Sequence, residues 1–338
     1  LPVLAITQEH GAIPRHLIDY HVSVTEKSIE SYKVVRVGDF IISLRSFQGG
    51  IEYSSYHGIC SPAYVILRRR GEGSDEYFQQ YLKTDRFIRI LTKNLEGLRD
   101  GKMISYAQFS ELMLPIPKPS EQQKIAECLS SVDELIAAQT RKVDALKTHK
   151  KGLMQQLFPR EGEIQPPFRF PEFRSARDWA PTTVGGLVET GYLFPPKDGN
   201  HGSIHPKSSD YVAKGIPFIM ASDLNGGLID IVGCHFISKE QADTLQKGFA
   251  KEGDVLLSHK GTVGEVAVVR EISTPYLMLT PQVTYYRVKD SKKLSNEFLA
   301  QLFLADSFQS NLVEVSGGGT RAYIGITEQA KLRLQLPK

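Results

Sequence analysis

The side chains of this chain that could do chemistry lie mainly in glycine-containing loops, not in a compact catalytic cluster. Arg45 and Gln48 follow one predicted strand, and Lys260 and Thr262 follow a similar strand later in the chain. Cationic and amide groups beside exposed backbone N–H groups can contact phosphates and hydrogen-bond base edges. We therefore predict a DNA-contact surface, although each residue alone is equally compatible with a solvated polar loop. The candidate contact residues are Arg45, Gln48, Lys93, Arg99, Lys102, His201, Lys207, Lys260, Thr262 and Arg321.

Motifs that would indicate catalysis are incomplete. Gln-Pro-Pro-Phe at 165–168 is similar to the Asn/Asp-Pro-Pro-aromatic signature of amino-methyltransferases, but its first residue differs and no glycine-rich cofactor fingerprint precedes it. Gly-Gly-Gly-Thr at 317–320 lacks the lysine of a phosphate-binding P-loop. His201 and His205 lie in a proline-flanked loop without further zinc ligands nearby. We predict no catalytic residue, no bound cofactor and no metal site in this chain.

An internal repeat indicates how the loops are positioned. Gly-Asp-Phe-Ile-Ile-Ser at 38–43 returns as Gly-Asp-Val-Leu-Leu-Ser at 253–258, residues 76–91 return as 297–312, and 114–118 return as 334–338. Because the order of these segments is preserved, we predict a duplicated domain of mixed α/β (α+β) class. The predicted strands are 33–37, 40–44 and 63–67 in one copy and 255–258, 265–269 and 283–288 in the other; the predicted helices are 76–91 and 296–312. The Gly-Asp pairs are predicted only to shape turns.

Between the two copies, the sequence predicts one long helix. It begins at Ser120, which has capping-box spacing to Gln123, and ends before Pro159. Apolar residues recur at alternating steps of four and three, a spacing typical of a coiled coil, once Gln139 and Lys150 fill two gaps. This seam consists of Ile125, Leu129, Val132, Ile136, Val143, Leu146, Leu153 and Leu157.

Such a helix has a length of roughly 55 to 60 Å at 1.5 Å per residue, so we interpret it as a rigid spacer. A surface helix lying on one domain is disfavoured, because the seam is longer and narrower than one small domain needs. The seam requires a partner. The candidates are a second copy of this helix in the same protein and a helix from another chain.

The length of 338 residues fits two domains and a connector. We predict a first domain over 1–118, the spacer helix over 119–159 and a second domain over 160–338. We expect the first domain to be incomplete at its N-terminus and the second to lack the helix that would follow it.

The composition limits the class of protein and its cellular compartment further. Hydrophobic residues make up 41% of the chain and charged residues 23%, as in ordinary globular proteins. Three widely separated cysteines fit a reducing compartment, and no apolar run approaches the about 20 residues of a membrane span, so we expect a soluble, cytoplasmic protein. The net charge of +3 is compatible with a DNA partner without indicating one.

Several motifs are shared with one protein family. The connector carries Leu114-Pro115-Ile116-Pro117, Glu121-Gln122-Gln123-Lys124-Ile125-Ala126, Asp133, and the segment from Leu146-Lys147 to Leu157-Phe158. The domains carry Tyr32-Lys33 with Val37-Gly38-Asp39, then Asp198-Gly199-Asn200-His201-Gly202, Gly215-Ile216-Pro217-Phe218-Ile219 and Gly261-Thr262-Val263-Gly264. In these motifs the chain resembles the DNA-specificity (S) subunits of type I restriction-modification systems, with two target recognition domains joined by a spacer helix. The resemblance covers essentially the whole chain.

That resemblance implies a subunit without catalysis of its own. It implies reading of a bipartite double-stranded DNA target, one half-site per domain, and partnership with methyltransferase (M) subunits, expected to be two, and restriction (R) subunits. S-adenosylmethionine is then expected on the methyltransferase partner. DNA methylation and defence against foreign DNA would be the cellular roles.

Two other functions remain open from the residues alone. One is a protein-interaction scaffold that presents two binding modules on a coiled-coil spacer. The other is the recognition part of a fused restriction-methylation enzyme, with its catalytic domain elsewhere.

Overall fold

The computed structural model describes residues 1–18, 29–43, 51–93, 106–317 and 322–338. The chain forms two compact units, Leu1–Val143 and Asp144–Lys338. Each combines short strands with helices, which confirms the predicted mixed α/β class. The three cysteines are unpaired thiols.

In its described residues, the first unit is built from short strands and three helices, together with the start of the long helix. Its strands are β1 (Leu4–Thr7), β2 (Gly11–Pro14), β3 (Lys33–Val35), β4 (Phe40–Ser43), β5 (Ile51–Tyr53), β6 (Gly58–Cys60) and β7 (Tyr64–Leu67). Its helices are α1 (Asp75–Tyr81), α2 (Asp85–Lys93) and α3 (Tyr106–Ser110), followed by α4 (Pro119–Leu157), which continues into the second unit. The central strand β4 pairs with β5 and β7, both antiparallel. Phe40, Ile42 and Ile51 from this sheet pack against Phe87 and Leu91 of α2.

The second unit has more strands and a larger core. Its strands are β8 (Ala180–Thr183), β9 (Lys197–Asp198), β10 (Tyr211–Val212), β11 (Ile216–Ile219), β12 (Leu224–Asn225), β13 (Leu228–Ile229), β14 (His235–Ile237), β15 (Phe249–Ala250), β16 (Val255–Ser258), β17 (Val266–Val268), β18 (Leu277–Leu279), β19 (Val283–Tyr286) and β20 (Arg333–Leu336). Its helices are α5 (Val184–Glu189), α6 (Lys239–Asp243), α7 (Asn296–Leu304), α8 (Asp306–Ser316) and α9 (Ile326–Gln329). A four-stranded sheet in the order β17-β16-β19-β9 carries the candidate site, and β10-β14-β11-β18-β15 form a second sheet.

The repeat in the sequence is a repeat in the fold. In the first unit β4 lies between β5 and β7, and in the second β16 lies between β17 and β19, with all pairs antiparallel. The register is also equivalent, since Phe40 pairs with Tyr53 and Val255 pairs with Val268. The frame that leads into the segment after the central strand is thus the same in both units.

A buried aspartate precedes the central strand in both units. Asp39 and Asp254 are each 1% exposed and follow glycines with φ of +93° and +85°, a left-handed conformation that favours glycine. The Asp39 carboxylate accepts two hydrogen bonds of 2.6 Å from Arg68, and Asp254 accepts bonds of 2.8 and 2.7 Å from Arg287. The Gly-Asp pairs shape turns as predicted. Sequence analysis missed the bidentate Asp–Arg pairs, which tie each turn to the end of β7 or β19.

The helix predicted after these strands is broken in both units. The expected single helix 76–91 is two helices, α1 and α2, and the expected 296–312 is α7 and α8. In the first unit the Thr84 hydroxyl accepts a hydrogen bond from Phe87 N–H at 3.3 Å and so caps α2. In the second unit Ala305 leaves the helical conformation, with ψ of 142°. The prediction of one helix per repeat was therefore wrong, while the equivalent break supports the duplication.

The long helix agrees with its prediction, because α4 begins at Pro119 and ends at Leu157. Near its start, Gln122 is 1% exposed, and its Oε1 accepts a hydrogen bond of 2.9 Å from the Ser74 N–H. Gln122 Nε2 donates to the Pro117 carbonyl at 2.8 Å. Within the second unit, the Phe158 ring after the helix lies 6.0 Å from both the Trp179 and Phe298 rings.

Replacement of Gln122 by leucine is expected to lower the free energy of unfolding of the first unit by about 1 to 3 kcal/mol, because it leaves the buried Ser74 N–H without a partner. The measurement is the urea midpoint of the full chain. Gln123→Leu is the matched control, since Gln123 is an exposed neighbour whose side chain donates a hydrogen bond to Glu127 along the helix surface. Equal midpoints for the two variants would contradict the role assigned to Gln122.

Candidate nucleic-acid interface

Four of the ten predicted contact side chains are described, and all four lie in the second unit. His201, Lys260 and Thr262 are exposed, as is Lys207 beside the 3-10 turn Ser208–Asp210. Lys93 is the last residue of α2, and its side chain is outside the described part. Arg45, Gln48, Arg99, Lys102 and Arg321 lie outside the described residues and stay predictions.

The first part of the site is the corner after β9. Asp198 pairs with Thr284 of β19 at the sheet edge and is 3% exposed. Gly199 makes a close approach there, because a Cβ at this position would lie 2.0 Å from the Leu279 carbonyl oxygen. Only glycine fits, and the tight turn brings His201 back to Asp198, with His201 Nε2 2.6 Å from Asp198 Oδ2.

Lys247 and Asn200 hold this corner from a distant segment. Lys247 Nζ donates to Asp198 Oδ1, and Asn200 Nδ2 donates to the Lys247 carbonyl at 2.6 Å. Asn200 Oδ1 accepts from the N–H groups of Gln246 and Lys247 at 3.0 and 3.3 Å. Asn200 is 2% exposed, so its side chain has a structural role. The corner is rigid, and His201 projects from it with about half its side chain exposed.

Asp198 is a charged group stabilised by its neighbours. Burial raises its pKa, but the hydrogen bonds from Lys247 and His201 lower it by more, and the net pKa lies below the usual range. A carboxylate with a depressed pKa stabilises the fold above its unfolded pKa of about 4, and this contribution is lost as pH falls through the folded pKa.

Asp198→Asn is therefore expected to lower the unfolding free energy of the second unit by about 1 to 3 kcal/mol at neutral pH, since Lys247 and His201 lose a buried acceptor. The difference from wild type should shrink as pH falls below the unfolded pKa of about 4 and through the lower folded pKa, because the wild-type carboxylate then loses its charge. Thermal unfolding across pH measures both effects. Asp243→Asn, which removes an exposed partner of Lys239, is the control and should change stability less. If the unfolding free energy of Asp198→Asn stayed below that of wild type by the same amount at low pH, the charge-based explanation would be contradicted.

The second part of the site is the turn between β16 and β17. Gly261 and Gly264 have φ of +82° and +102°, so this turn needs glycine at both positions. The Gly264 N–H donates to the Ser258 carbonyl at 3.0 Å, and Gln309 of α8 donates to the Gly264 carbonyl at 3.0 Å. Lys260 and Thr262 are exposed on this fixed turn.

Tyr323 joins this turn to the segment after α8. Lys260 and Tyr323 form an antiparallel bridge, and the Lys260 ammonium lies 6.0 Å from the centre of the Tyr323 ring. The buried His259 ring is 5.8 Å from the same ring. β9 and β16 both pair antiparallel with β19, so their C-terminal ends, which lead to His201 and Lys260, lie at the same end of the sheet. A cation, an imidazole and a phenol are thus displayed together, a set able to contact phosphate and base edges.

Sequence analysis missed Lys247, Asn200 and Tyr323 as parts of the site. Asn200 lay within a motif that was singled out, and its polar type next to Gly199 was the available signal, whereas Tyr323 is close in sequence to the predicted contact Arg321. The sequence carried no such signal for Lys247, because it is 49 residues from its partner Asp198. Within the described residues, no group of three or more His, Cys, Asp or Glu side chains is placed to hold a metal ion.

The predicted seam is a second candidate surface. Leu129, Val132 and Ile136 are 41%, 47% and 60% exposed in α4. Further along α4, Leu146 and Leu153 are 57% and 41% exposed. Val143 is 47% exposed, whereas Ile125 and Leu157 are partly buried. An exposed apolar stripe of this kind, interrupted by Gln139 and Lys150, indicates a surface for a partner helix.

The comparison that decides the family covers both units. The family model of the type I restriction modification DNA specificity domain matches residues 2–148 and 177–338. The chain belongs to this family. It is a type I specificity chain with two copies of the DNA specificity domain, and this confirms the resemblance carried by the connector and domain motifs.

Individual relatives agree with this family assignment. The type I restriction enzyme MjaVIII specificity subunit of Methanocaldococcus jannaschii is 23% identical over 325 residues, which cover 94% of this chain and 71% of that protein. The type I restriction enzyme EcoBI specificity subunit of Escherichia coli is 24% identical over 187 residues, 50% of this chain and 37% of that protein. A protein-interaction scaffold is not favoured by these matches.

Solved structures show the same fold. The S subunit of a type I restriction-modification system from M. genitalium matches with a TM-score of 0.52 and 14% identity, over 91% of this chain and 73% of that one. A chain from a structure of complex assembly and conformational transition of the type I R-M system matches with a TM-score of 0.50 and 18% identity, over 90% and 71% of the two chains. Across the described residues, no helix is long and apolar enough to cross a bilayer.

Proposed function

We propose that this chain is the non-catalytic subunit that reads a bipartite DNA target for a type I restriction-modification system. The observation that carries the proposal is the family match over both units, each of which holds the same frame with a different loop after its central strand. Two frames with different loops suit two different half-sites. The recognition part of a fused restriction-methylation enzyme, the other function left open by the residues, is not favoured by these matches.

The second unit supports direct contact with DNA. His201 and Lys260 are exposed at the same end of one sheet, and buried hydrogen bonds fix the corner behind His201. Side chains held in place before binding lose less entropy when they contact a ligand. Thr262, Lys207 and Arg321 extend the same proposal, and Arg45, Gln48, Lys93, Arg99 and Lys102 are the proposed contacts of the first unit.

The proposed partners are those that the type I restriction-modification family implies. Methylation requires methyltransferase subunits, for which we propose two copies, and these would hold the S-adenosylmethionine; cleavage of foreign DNA requires restriction subunits. The exposed seam of α4 is the proposed contact for a helical partner, either a second spacer helix or a helix of another subunit.

Methylome sequencing of the source strain with and without this gene tests the function. We expect one bipartite methylated sequence to disappear on deletion and to return when the gene is restored. The purified complex with methyltransferase should bind that sequence with a steep salt dependence, because phosphate contacts release counterions. An unchanged methylome, together with no sequence preference in binding at any salt concentration, would contradict the proposal.

A further inference from the structure

His259 lies at the end of β16, where the segments carrying Lys260 and Tyr323 meet. Its side chain is 0% exposed, and its Nδ1 is 2.9 Å from the Ile324 carbonyl oxygen. The His259 N–H donates to the Gln282 carbonyl at 2.8 Å, and the Ile324 N–H donates to the His259 carbonyl at 3.0 Å. One residue therefore fastens the turn after β16 to two other segments of the second unit.

The contact with Ile324 fixes the tautomer of the ring. A carbonyl oxygen only accepts hydrogen bonds, so Nδ1 carries the proton and the lone pair of the neutral ring is on Nε2. Among the described residues, the buried Nε2 has no hydrogen-bond partner. A second proton would place a charged donor without an acceptor in the interior, which is costly. This geometry accommodates only the neutral ring.

The charges around His259 come from its own turn and from the segment that follows β9. Lys260 is the next residue, and the Asp198 carboxylate and the His201 ring face it from that segment. Asp198 is already engaged by His201 and Lys247, and Tyr323 presents its ring at 5.8 Å. Burial lowers the pKa of His259 most; Asp198 and the Ile324 carbonyl oppose this, and His201 and Lys260 add to the lowering.

We propose that neutral His259 is a positioning residue for DNA recognition by the second unit, and that its protonation releases the contact between the Lys260 turn and the Tyr323 segment. The inference rests on the proposed function, because it takes these segments to contact DNA. In the released state the ring has an ordinary pKa of about 6.5, so the closed state is fully favoured above that pH and is lost as pH falls below it. The first unit has Leu44 directly after its repeated block, a residue that cannot titrate. The pH effect is therefore confined to one half-site.

The experiment compares wild type, His259→Asn and His259→Ala in the full chain assembled with its methyltransferase subunits. The probe is a fluorescent duplex that carries the sequence found by methylome analysis, and anisotropy gives its affinity from about pH 5 to about pH 8, the range in which histidine titrates. Wild-type affinity should fall about fivefold or more from pH 7.5 to pH 5 as the binding-competent state is depleted. His259→Asn keeps an N–H donor for Ile324 and cannot be protonated in this range, so it should bind within about twofold of wild type at pH 7.5 and show no decline. His259→Ala should bind the duplex weakly at both ends of this pH range.

Two controls test whether the pH dependence of DNA binding comes from His259. His201→Gln should keep the decline, because it removes the other histidine near the turn and leaves the buried His259 ring with its Ile324 contact in place. Base changes in the half-site that depends on Lys260 should remove the pH dependence, and changes in the other half-site should leave it. Circular dichroism at each pH reports whether each variant is folded.

Three results would overturn the inference: wild-type binding that is constant with pH, a decline of His259→Asn parallel to wild type, or a folded His259→Asn that has lost binding at neutral pH. Absence of sequence-specific binding by wild type at neutral pH is a different outcome, since it would contradict the proposed function itself.

Discussion

Glutamate at both Leu146 and Leu153 is expected to weaken assembly with the helical partner by about a thousandfold or more. Both side chains lie on the seam and are 57% and 41% exposed in the second unit. A partner helix would bury them, and two unpaired carboxylates in an apolar interface cost several kcal/mol, at about 1.4 kcal/mol per tenfold change in affinity. Methylation of the target sequence should be lost together with assembly.

Co-purification of a tagged chain with its methyltransferase subunits measures this effect, and methylome sequencing of the same strain gives the consequence in the cell. Ala145→Glu with Thr148→Glu is the matched control, because it adds the same charge at exposed positions of the same helix outside the seam. The control should assemble and methylate. Equal assembly of the seam variant and wild type would show that the exposed stripe is not the contact surface.

Charge reversal at Lys260 is expected to weaken recognition of one half-site by about 10- to 100-fold, the range of about 1 to 3 kcal/mol for a good base or phosphate contact. Lys260 is exposed on a turn held by Gly261 and Gly264, so the substitution should not disturb the fold. Binding to duplexes with changes in either half-site shows which half is affected. A contact with phosphate would weaken binding to all duplexes alike and reduce the salt dependence, while a contact with a base would relax sequence preference at one position.

Lys239→Glu is the control for Lys260→Glu, since it makes the same charge change at an exposed residue of α6 in the same unit. Its effect on binding should be small, as expected when only the overall field changes. Equal losses with both variants would point to non-specific electrostatics. Equal loss at both half-sites with Lys260→Glu alone would contradict independent recognition by the two units.

The long helix and the duplication were predictable because their signals are local or periodic. Ser120 and Gln123 mark the start of α4, Pro159 follows its end, and the seven-residue spacing between them leaves little alternative to a helix. The repeated Gly-Asp blocks align two central strands whose neighbours and register agree in the structure. Such features depend on nearby residues or on comparison within the chain.

The remaining features depend on contacts between distant segments. Propensity in 296–312 favours one helix, and only the packing of this unit explains why Ala305 leaves the helical conformation. The partnership of Asp198 with Lys247 joins residues far apart in sequence, and the burial of His259 depends on Gln282 and Ile324. Six of the ten predicted contact side chains, including Arg321, lie outside the described part of the chain, and DNA contact by the other four stays a prediction.

The two Asp–Arg pairs have a consequence for how such a protein changes over generations. Asp39 with Arg68 and Asp254 with Arg287 close each frame at points outside the loops at 44–50 and 259–265. New loop sequences, acquired by mutation or by recombination of a whole unit, leave these Asp–Arg ion pairs intact. Descendant proteins can therefore acquire a new specificity for one half of the DNA target at a time, while the other half-site specificity and the architecture are inherited unchanged.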